Sequence, residues 1–438
     1  MLSSPNTAAA VKAETMNRVF FENVRCFSSR QVVHLAPLTI LVGENSSGKS
    51  TALALVRLAW DLTATLGATP LFNEEPFLLG AYGQIASGGD KRGSFVLGLE
   101  VMQSENQVTT VSGRFEARRG QPALAELTCD LPPYHLSAFF EKEGQIAKLL
   151  VKTPLGQRQA EWLSTERSTD LVNALMLLGR FSRSEDVEVT GDLRVREDLP
   201  SFLSRLTGIL GQMNTRPYAF APMRTRPLRT YDPSGLESPE GSHVPMLLAS
   251  TILREPEEWQ DLINALGSFG QHSGLFRQVE VRRLGPSESD PFQIRVHVGG
   301  NAMNLIDVGY GVSQVLPIIV DSLRGKQGGT FLLQQPEVHL HPKAQAELGS
   351  FFGALAKRQD KYFVVETHSD YLVDRIRMDI RDKKNGLRPE DVSLLYFERN
   401  NGEAQIHRLE LDEHGNIVNA PPGYRNFFLE EERRFLGG

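Results

Sequence analysis

The nine residues "GENSSGKST", Gly43 to Thr51, are the stretch best suited to chemistry. They fit the spacing G-x-x-x-x-G-K-[ST], in which every fixed residue has a physical task. Gly43 and Gly48 let backbone N–H groups curl around a phosphate, and the helix that follows points its positive dipole end at the anion. Asn45, Ser46, Gly48 and Thr51 complete the cradle, Lys49 reaches the β- and γ-phosphates, and the Ser50 hydroxyl ligates Mg²⁺. The motif follows the β-branched run "LTILV" and opens the helical run "TALALVRLAW", the context this mechanism needs. Binding of ATP with Mg²⁺ is the implied chemistry.

A second group of candidates lies near the other end of the chain. "FLLQQPEVHLHP", Phe331 to Pro342, ends an apolar strand in Gln334 and Gln335, where ATP-hydrolysing enzymes usually place two carboxylates. The Gln334 amide oxygen can hold a water of Mg²⁺, but it brings no charge, so metal affinity is expected to fall. Gln335 has no useful basicity and can only position water. Glu337 remains as the candidate base; beyond Pro336 it either turns into the site or caps the helix that follows. "YFVVETHSD" is a buried strand ending in Glu366, Thr367 and His368, and a histidine there sits where parallel sheets bind ligands. An ordinary capping or buried histidine fits the same position. "DVGYGVSQVLPIIVDSL" (307–323) sets a Gly/Ser turn before an apolar helix, with Ser313 either in a second phosphate-binding helix start or acting as a plain N-cap. His339 and His341 of "HLHP" lack a nearby third ligand, so no metal centre is expected there.

The elements that must position these residues follow from periodicity. "PLTILV" reads as a strand buried on both faces. From about Ser94 to Asp130 the pattern is that of an antiparallel lobe, and residues 135–215 read mostly as helix. Helix is expected again over 246–270, then strands at "FRQVEVRRL" and "FQIRVHV". The last third alternates strand and helix, which argues for a parallel sheet of βαβ units. The expected units are a flexible tail (1–17), an N-lobe with the phosphate loop and a β subdomain (18–134), and a mainly helical insertion (135–245). A C-lobe (246–410) and a C-terminal tail (411–438) complete the chain. The fold class is α/β: a P-loop ATPase with a mixed or antiparallel β lobe, a parallel-sheet core and a helical insertion.

Taken together, these motifs resemble the ABC-type ATPases of the SMC, RecF and OLD-like branch. More narrowly they resemble the stand-alone ATPases of bacterial anti-phage cassettes such as Septu and PARIS. The resemblance rests on "VRCFSSRQVVHLAPLTILVGENSSGKST", "GYGVSQ", "LLQQPEVHLHP" and "ETHSDYL". It implies that Ser313 is the signature serine, that Gln334 and Gln335 occupy the Walker B end, and that "HLHP" is a D-loop. It also makes His368 the switch histidine and Gln84 of "YGQIAS" the Q-loop glutamine near the metal. In this branch two chains meet head to tail, with each ATP between Lys49 of one and Ser313 of the other. Related stand-alone ATPases often read E-Q-P-E at the Walker B end, which leaves Gln334 as the sharper departure. The implied activity is slow ATP hydrolysis with ATP-driven closure of a homodimer or higher homo-oligomer. The implied role is a sensor or scaffold for a separate effector in antiviral defence, since the length beyond the core leaves no room for a fused nuclease.

Composition bounds these expectations. Apolar content of 40 % and charged content of 23 % over 438 residues describe a globular chain. A net charge of −6 gives no global field toward nucleic acid. This weighs against the alternative reading, a RecF- or SMC-like DNA-binding repair ATPase. A local basic face from Arg224, Arg226, Arg229, Arg118, Arg119, Arg282 and Arg283 would leave DNA open as a partner. No signal-peptide pattern and no apolar run of about 18 residues occurs, so a cytoplasmic protein with no membrane partner is expected. Cys26 and Cys129 suggest no disulfide framework.

Overall fold

The chain opens with strands β1 (Arg18–Glu22), β2 (Gln31–His34) and β3 (Leu38–Gly43), and β3 runs through the phosphate loop into helix α1 (Lys49–Thr65). The short pair β4 (Asn73–Glu74) and β5 (Phe77–Leu78) and the one-turn helix α2 (Tyr82–Ile85) follow. Next come β6 (Phe95–Ser104), β7 (Gln107–Arg118), β8 (Gln121–Leu131), β9 (Tyr134–Phe140), β10 (Ile146–Thr153) and β11 (Gly156–Trp162). Helix α3 (Leu171–Arg180), β12 (Val187–Gly191), α4 (Val195–Gln212) and β13 (Tyr218–Phe220) close the first half. The second half contains α5 (Val244–Arg254), α6 (Pro256–Ser273), β14 (Gln278–Arg283), β15 (Phe292–Val298), β16 (Asn301–Asn304) and α7 (Tyr310–Arg324). It ends with β17 (Thr330–Gln334), α8 (Pro342–Arg358), β18 (Tyr362–Glu366), α9 (Asp370–Arg381), β19 (Val392–Asn400) and β20 (Glu403–Leu409). This computed structural model describes residues 17–65, 67–89, 93–104, 107–141, 144–162, 171–180, 187–212, 216–233, 238–424 and 433–434.

One sheet positions the site. Its order is β13-β17-β18-β3-β19-β20, parallel throughout except for the β19–β20 pair. Successive side chains point to opposite faces, so the strands feed two separate apolar cores. Leu41, Leu332, Val364, Leu395 and Phe397 join α1 and the N-terminal strands in one core. Leu38, Ile40, Leu333, Phe363, Val365 and Leu394 join α5 to α9 in the other. Double burial is why these strands read as continuous apolar runs.

The second sheet has nine antiparallel strands in the order β12-β11-β10-β9-β8-β7-β6-β1-β2. Here the expected helical insertion is corrected. Residues 134–162 form β9, β10 and β11, which extend the antiparallel lobe without a break at 134, and β12 adds its edge. Among the described residues of 135–243, α-helix is confined to α3 and α4, whose Leu175, Leu178, Phe202 and Leu206 pack into the same core as Leu149, Val151 and Trp162.

The expected tails meet different ends. Residues 1–16 lie outside the described residues, as do 425–432 and 435–438. Residues 411–424 dock on the C-lobe: Tyr424 meets Tyr396 edge-on with centroids 5.3 Å apart, and Arg377 Nε donates to the Gly415 carbonyl at 2.7 Å. Among the described residues no helix is long and apolar enough to cross a membrane.

Candidate functional site

Two glycines fix the phosphate loop. Gly43 has φ +141°, and a Cβ there would sit 2.3 Å from the Phe397 carbonyl oxygen of β19. Gly48 has φ +99°, and its Cβ would strike the Phe27 ring at 2.5 Å. Neither position tolerates a side chain. Lys49 is only 3 % exposed, and its Nζ donates to the carbonyls of Gly43 (3.0 Å) and Glu44 (2.6 Å). Burial lowers its pKa, opposed by the charges of Glu366, Glu337 and Glu44. Asn45 and Ser46 stand exposed at the loop tip, where Arg399 donates to the Ser46 carbonyl at 3.0 Å. The Thr51 hydroxyl accepts from Arg25 at 3.2 Å, a bond that ties the start of α1 to the segment before α2.

The acids lie across the ends of two neighbouring strands. Gln334 of β17 is in register with Glu366 of β18, and Glu366 with Leu41 of β3. Glu366 is therefore one strand nearer the phosphate loop than Gln334, and Ser50 Oγ donates to Glu366 Oε1 at 2.8 Å. The other oxygen, Glu366 Oε2, is buried without a hydrogen-bond partner. Burial raises the Glu366 pKa, against the Ser50 bond and the Lys49 charge. Gln335 is left-handed (φ +44°), and its N–H donates to the Glu366 carbonyl at 2.8 Å.

Glu337 turns toward His368 and does not cap α8. Its Oε1 accepts the His368 N–H at 2.8 Å, while the cap of α8 is supplied by His341, which accepts from the Lys343 N–H. Glu337 is 6 % exposed; burial raises its pKa, opposed mainly by the His368 N–H. His368 stands on the rim, with its imidazole pKa lowered by partial desolvation and by Lys49. His339 is left-handed (φ +68°) and meets the Tyr310 ring edge-on. Among the described residues no three His, Cys, Asp or Glu side chains group as a metal centre.

Ser313 is not an N-cap. Helix α7 begins at Tyr310 after Gly309, so Ser313 lies in the first turn, and its Oγ donates to the Tyr310 carbonyl at 2.8 Å. Gln84 Oε1 accepts from the Ala81 N–H at 2.8 Å and caps α2, and its carbonyl is reached by the same Arg25 that bonds the Thr51 hydroxyl. Two residues that sequence reasoning did not place at the nucleotide site stand beside these groups. One is Glu366. The other is Arg224, 4 % exposed, whose backbone N–H donates to Gln314 of α7 (3.2 Å) and whose Nη2 reaches the Gln334 carbonyl (3.5 Å). Burial lowers its pKa to about 10, opposed by Glu337, so it stays charged at neutral pH. A buried arginine thus joins the start of the α7 helix to the end of β17. The expected basic face is drawn down accordingly: Arg224 is inside, Arg229 pairs with Asp307 at 2.6 Å, and Arg118 and Arg283 donate to main-chain carbonyls.

Residues 194–374 match the family model described as "AAA domain, putative AbiEii toxin, Type IV TA system". The loop, strand order and helix placement above are those of an α/β P-loop fold. Residues 387–432 match a second model, a protein of unknown function (DUF3696). No curated protein matches the chain. Among solved structures, an SMC head bound to the C-winged helix domain of ScpA is 10 % identical over 90 % of this chain and 98 % of that one, with a TM-score of 0.43. The SMC head domain from Thermotoga maritima is 13 % identical over 90 % and 99 %, with a TM-score of 0.38. An Smc head with an extended coiled coil, bound to the C-terminal domain of ScpA derived from Pyrococcus furiosus, is 10 % identical over 96 % and 100 %, with a TM-score of 0.40.

The phosphate loop implies a nucleotide, typically with Mg²⁺, and the donor set fits. Mg²⁺ takes hard oxygen ligands and keeps several waters; the Ser50 hydroxyl and the unsatisfied Glu366 carboxylate supply such oxygens. When bound, the ion neutralises charge on the phosphates.

Proposed function

We propose that this ATPase is an ATP-gated switch in which two copies close head to tail around nucleotide, with hydrolysis as a slow reset. The observation that carries the proposal is the split between two half-sites in one chain. The phosphate loop is complete with Lys49 and Ser50, whereas Ser313, 5 % exposed, bonds only within its own helical turn, and Gly309 and Tyr310 just before it are exposed. The first N–H groups of a helix have no carbonyl a turn earlier to bond and suit a phosphate, and a second copy supplies one at the exposed lip of α7. Asn45, Ser46, Lys49, Ser50 and Ser313 hold the nucleotide across that seam, while the Thr51 hydroxyl serves Arg25 and fixes the loop.

For the reset, Glu337 accepts a proton from water as its oxygen attacks the γ-phosphorus. The bond to the β–γ bridging oxygen breaks, and ADP leaves. Gln335 and His368 orient the water and the γ-phosphate. The sequence resemblance to stand-alone ATPases of anti-phage cassettes suggests the role, closure signalling to a separately encoded effector in antiviral defence. DNA binding gains no support from the arginines that bond within the chain.

Light scattering of the full chain tests the switch. ATP with Mg²⁺ should double the mass of a Glu337→Gln variant, and ADP should not. Gly309→Arg is the control, because a Cβ at Gly309 meets no atom within 4 Å beyond its chain neighbours and the position is exposed. It should fold and bind ATP yet stay monomeric. Tight ATP binding with no change of mass in Glu337→Gln would refute the proposal.

A further inference from the structure

We infer that Glu366 is the acidic oxygen of the Mg²⁺ site, replacing the carboxylate missing at Gln334. This rests on the nucleotide-binding reading above and names a residue within it. In P-loop proteins the Mg²⁺ is held by the loop Ser/Thr together with an acid at a strand end. The chain offers glutamines where that acid is expected, at Gln334 and Gln335, and an acid one strand closer to the loop.

Three observations converge on Glu366. Its Oε1 accepts the hydroxyl proton of Ser50, the metal-binding serine of the loop, at 2.8 Å. Its Oε2 is buried with no hydrogen-bond partner, so the carboxylate has acceptor capacity that the protein leaves unused. Its position is rigidly held: β18 lies between β17 and β3, and the Gln335 N–H donates to the Glu366 carbonyl at 2.8 Å. A carboxylate that is 3 % exposed would be costly to bury for structure alone. Beside the metal-binding serine and an incoming cation, the same carboxylate is a ligand, or the acceptor for a metal-bound water. The substitution at Gln334 is thus a relocation of charge by one strand and not a loss of it.

The test separates metal from nucleotide. Binding of a fluorescent ATP analogue to the full chain is titrated in EDTA and at stepped Mg²⁺, and Mn²⁺ binding to the ATP complex is followed by electron paramagnetic resonance. Glu366→Gln should leave the EDTA affinity unchanged and weaken Mn²⁺ and Mg²⁺ binding by about ten- to a hundredfold. Gln334→Asp/Glu366→Gln, which puts the acid back on β17, should recover most of that loss. Unchanged metal binding in Glu366→Gln overturns the inference, and so does a loss that the double variant fails to recover. Absence of nucleotide binding by the wild-type chain in EDTA and Mg²⁺ alike would defeat the broader nucleotide reading instead. Should Glu366→Gln not fold, Gln334→Asp alone decides. It changes metal affinity less than about threefold if Glu366 already fills the role, and a gain of about tenfold or more would show that the site lacked its acid.

Discussion

At the scale of single residues, the site is organised by carboxylates held where water is scarce. Glu337 is buried beside the loop lysine, and burial raises its pKa above the ordinary carboxylate range. The sign of the consequence follows from linkage. A carboxyl group whose folded pKa is raised contributes stability below its unfolded pKa and loses it as pH rises through the folded value. The ligand-free wild type therefore bears this cost at pH 7.5 and is largely free of it at pH 4. Glu337→Gln keeps an oxygen for the His368 N–H and removes the charge. We expect it to raise the melting temperature by a few degrees at pH 7.5, with the gain shrinking toward pH 4, while phosphate release falls by roughly 10²–10⁴-fold. Calorimetry at both pH values and a steady-state phosphate assay check the two halves. A variant less stable than wild type at pH 7.5 would mean that Glu337 is structural.

At the scale of elements, Arg224 joins two of them, α7 through its backbone N–H to Gln314 and β17 through its guanidinium to the Gln334 carbonyl, and only the second is lost in a side-chain variant. Its Nε and Nη1 are buried without partners, so it adds little to folding. Arg224→Met should leave the melting temperature unchanged or higher and keep monomeric ATP binding within about threefold. ATP-driven dimerisation should weaken about tenfold, the size of an ordinary coupling between sites. Sedimentation at fixed ATP reads this out, and dimerisation at wild-type strength would show that the arginine couples nothing. Arg224 also marks what the sequence left illegible. The loop motif, the parallel strands and the order of the late motifs were readable because each depends on local pattern: a glycine at positive φ, an apolar run, a strand end. Residues 134–162 were not, because "IAKLLVKT" and "GQRQAEW" carry Lys, Leu, Ala and Gln, which favour helix locally. Pairing with β8 overrides that preference, and the strand signature survives only as Leu149, Val151, Ala160 and Trp162 facing the core. Glu366 stayed hidden for a related reason: the register between β17 and β18 that sets it beside Gln334 is a tertiary fact.

At the scale of the whole molecule, the core sheet carries two apolar cores on its faces and gathers the loop, Glu366, Glu337 and the base of α7 at its strand ends. Closing a second copy over that edge makes nucleotide part of an interface, and thermodynamics then constrains what must be seen. Whatever ATP contributes to dimerisation, dimerisation contributes equally to ATP binding. The apparent ATP affinity must therefore rise with protein concentration, saturating once the chain is dimeric. A nucleotide wholly enclosed by one subunit gives an affinity independent of concentration. Titrations of labelled ATP from nanomolar to tens of micromolar protein separate the cases. We expect the apparent affinity of the Glu337→Gln chain to increase by about fivefold or more across that range, within the usual span of coupling energies. Adding Gly309→Arg should flatten the curve at its dilute-limit value, because it blocks the seam and leaves the loop intact. A flat curve for Glu337→Gln alone would place ATP within a single chain, whatever oligomer that chain forms.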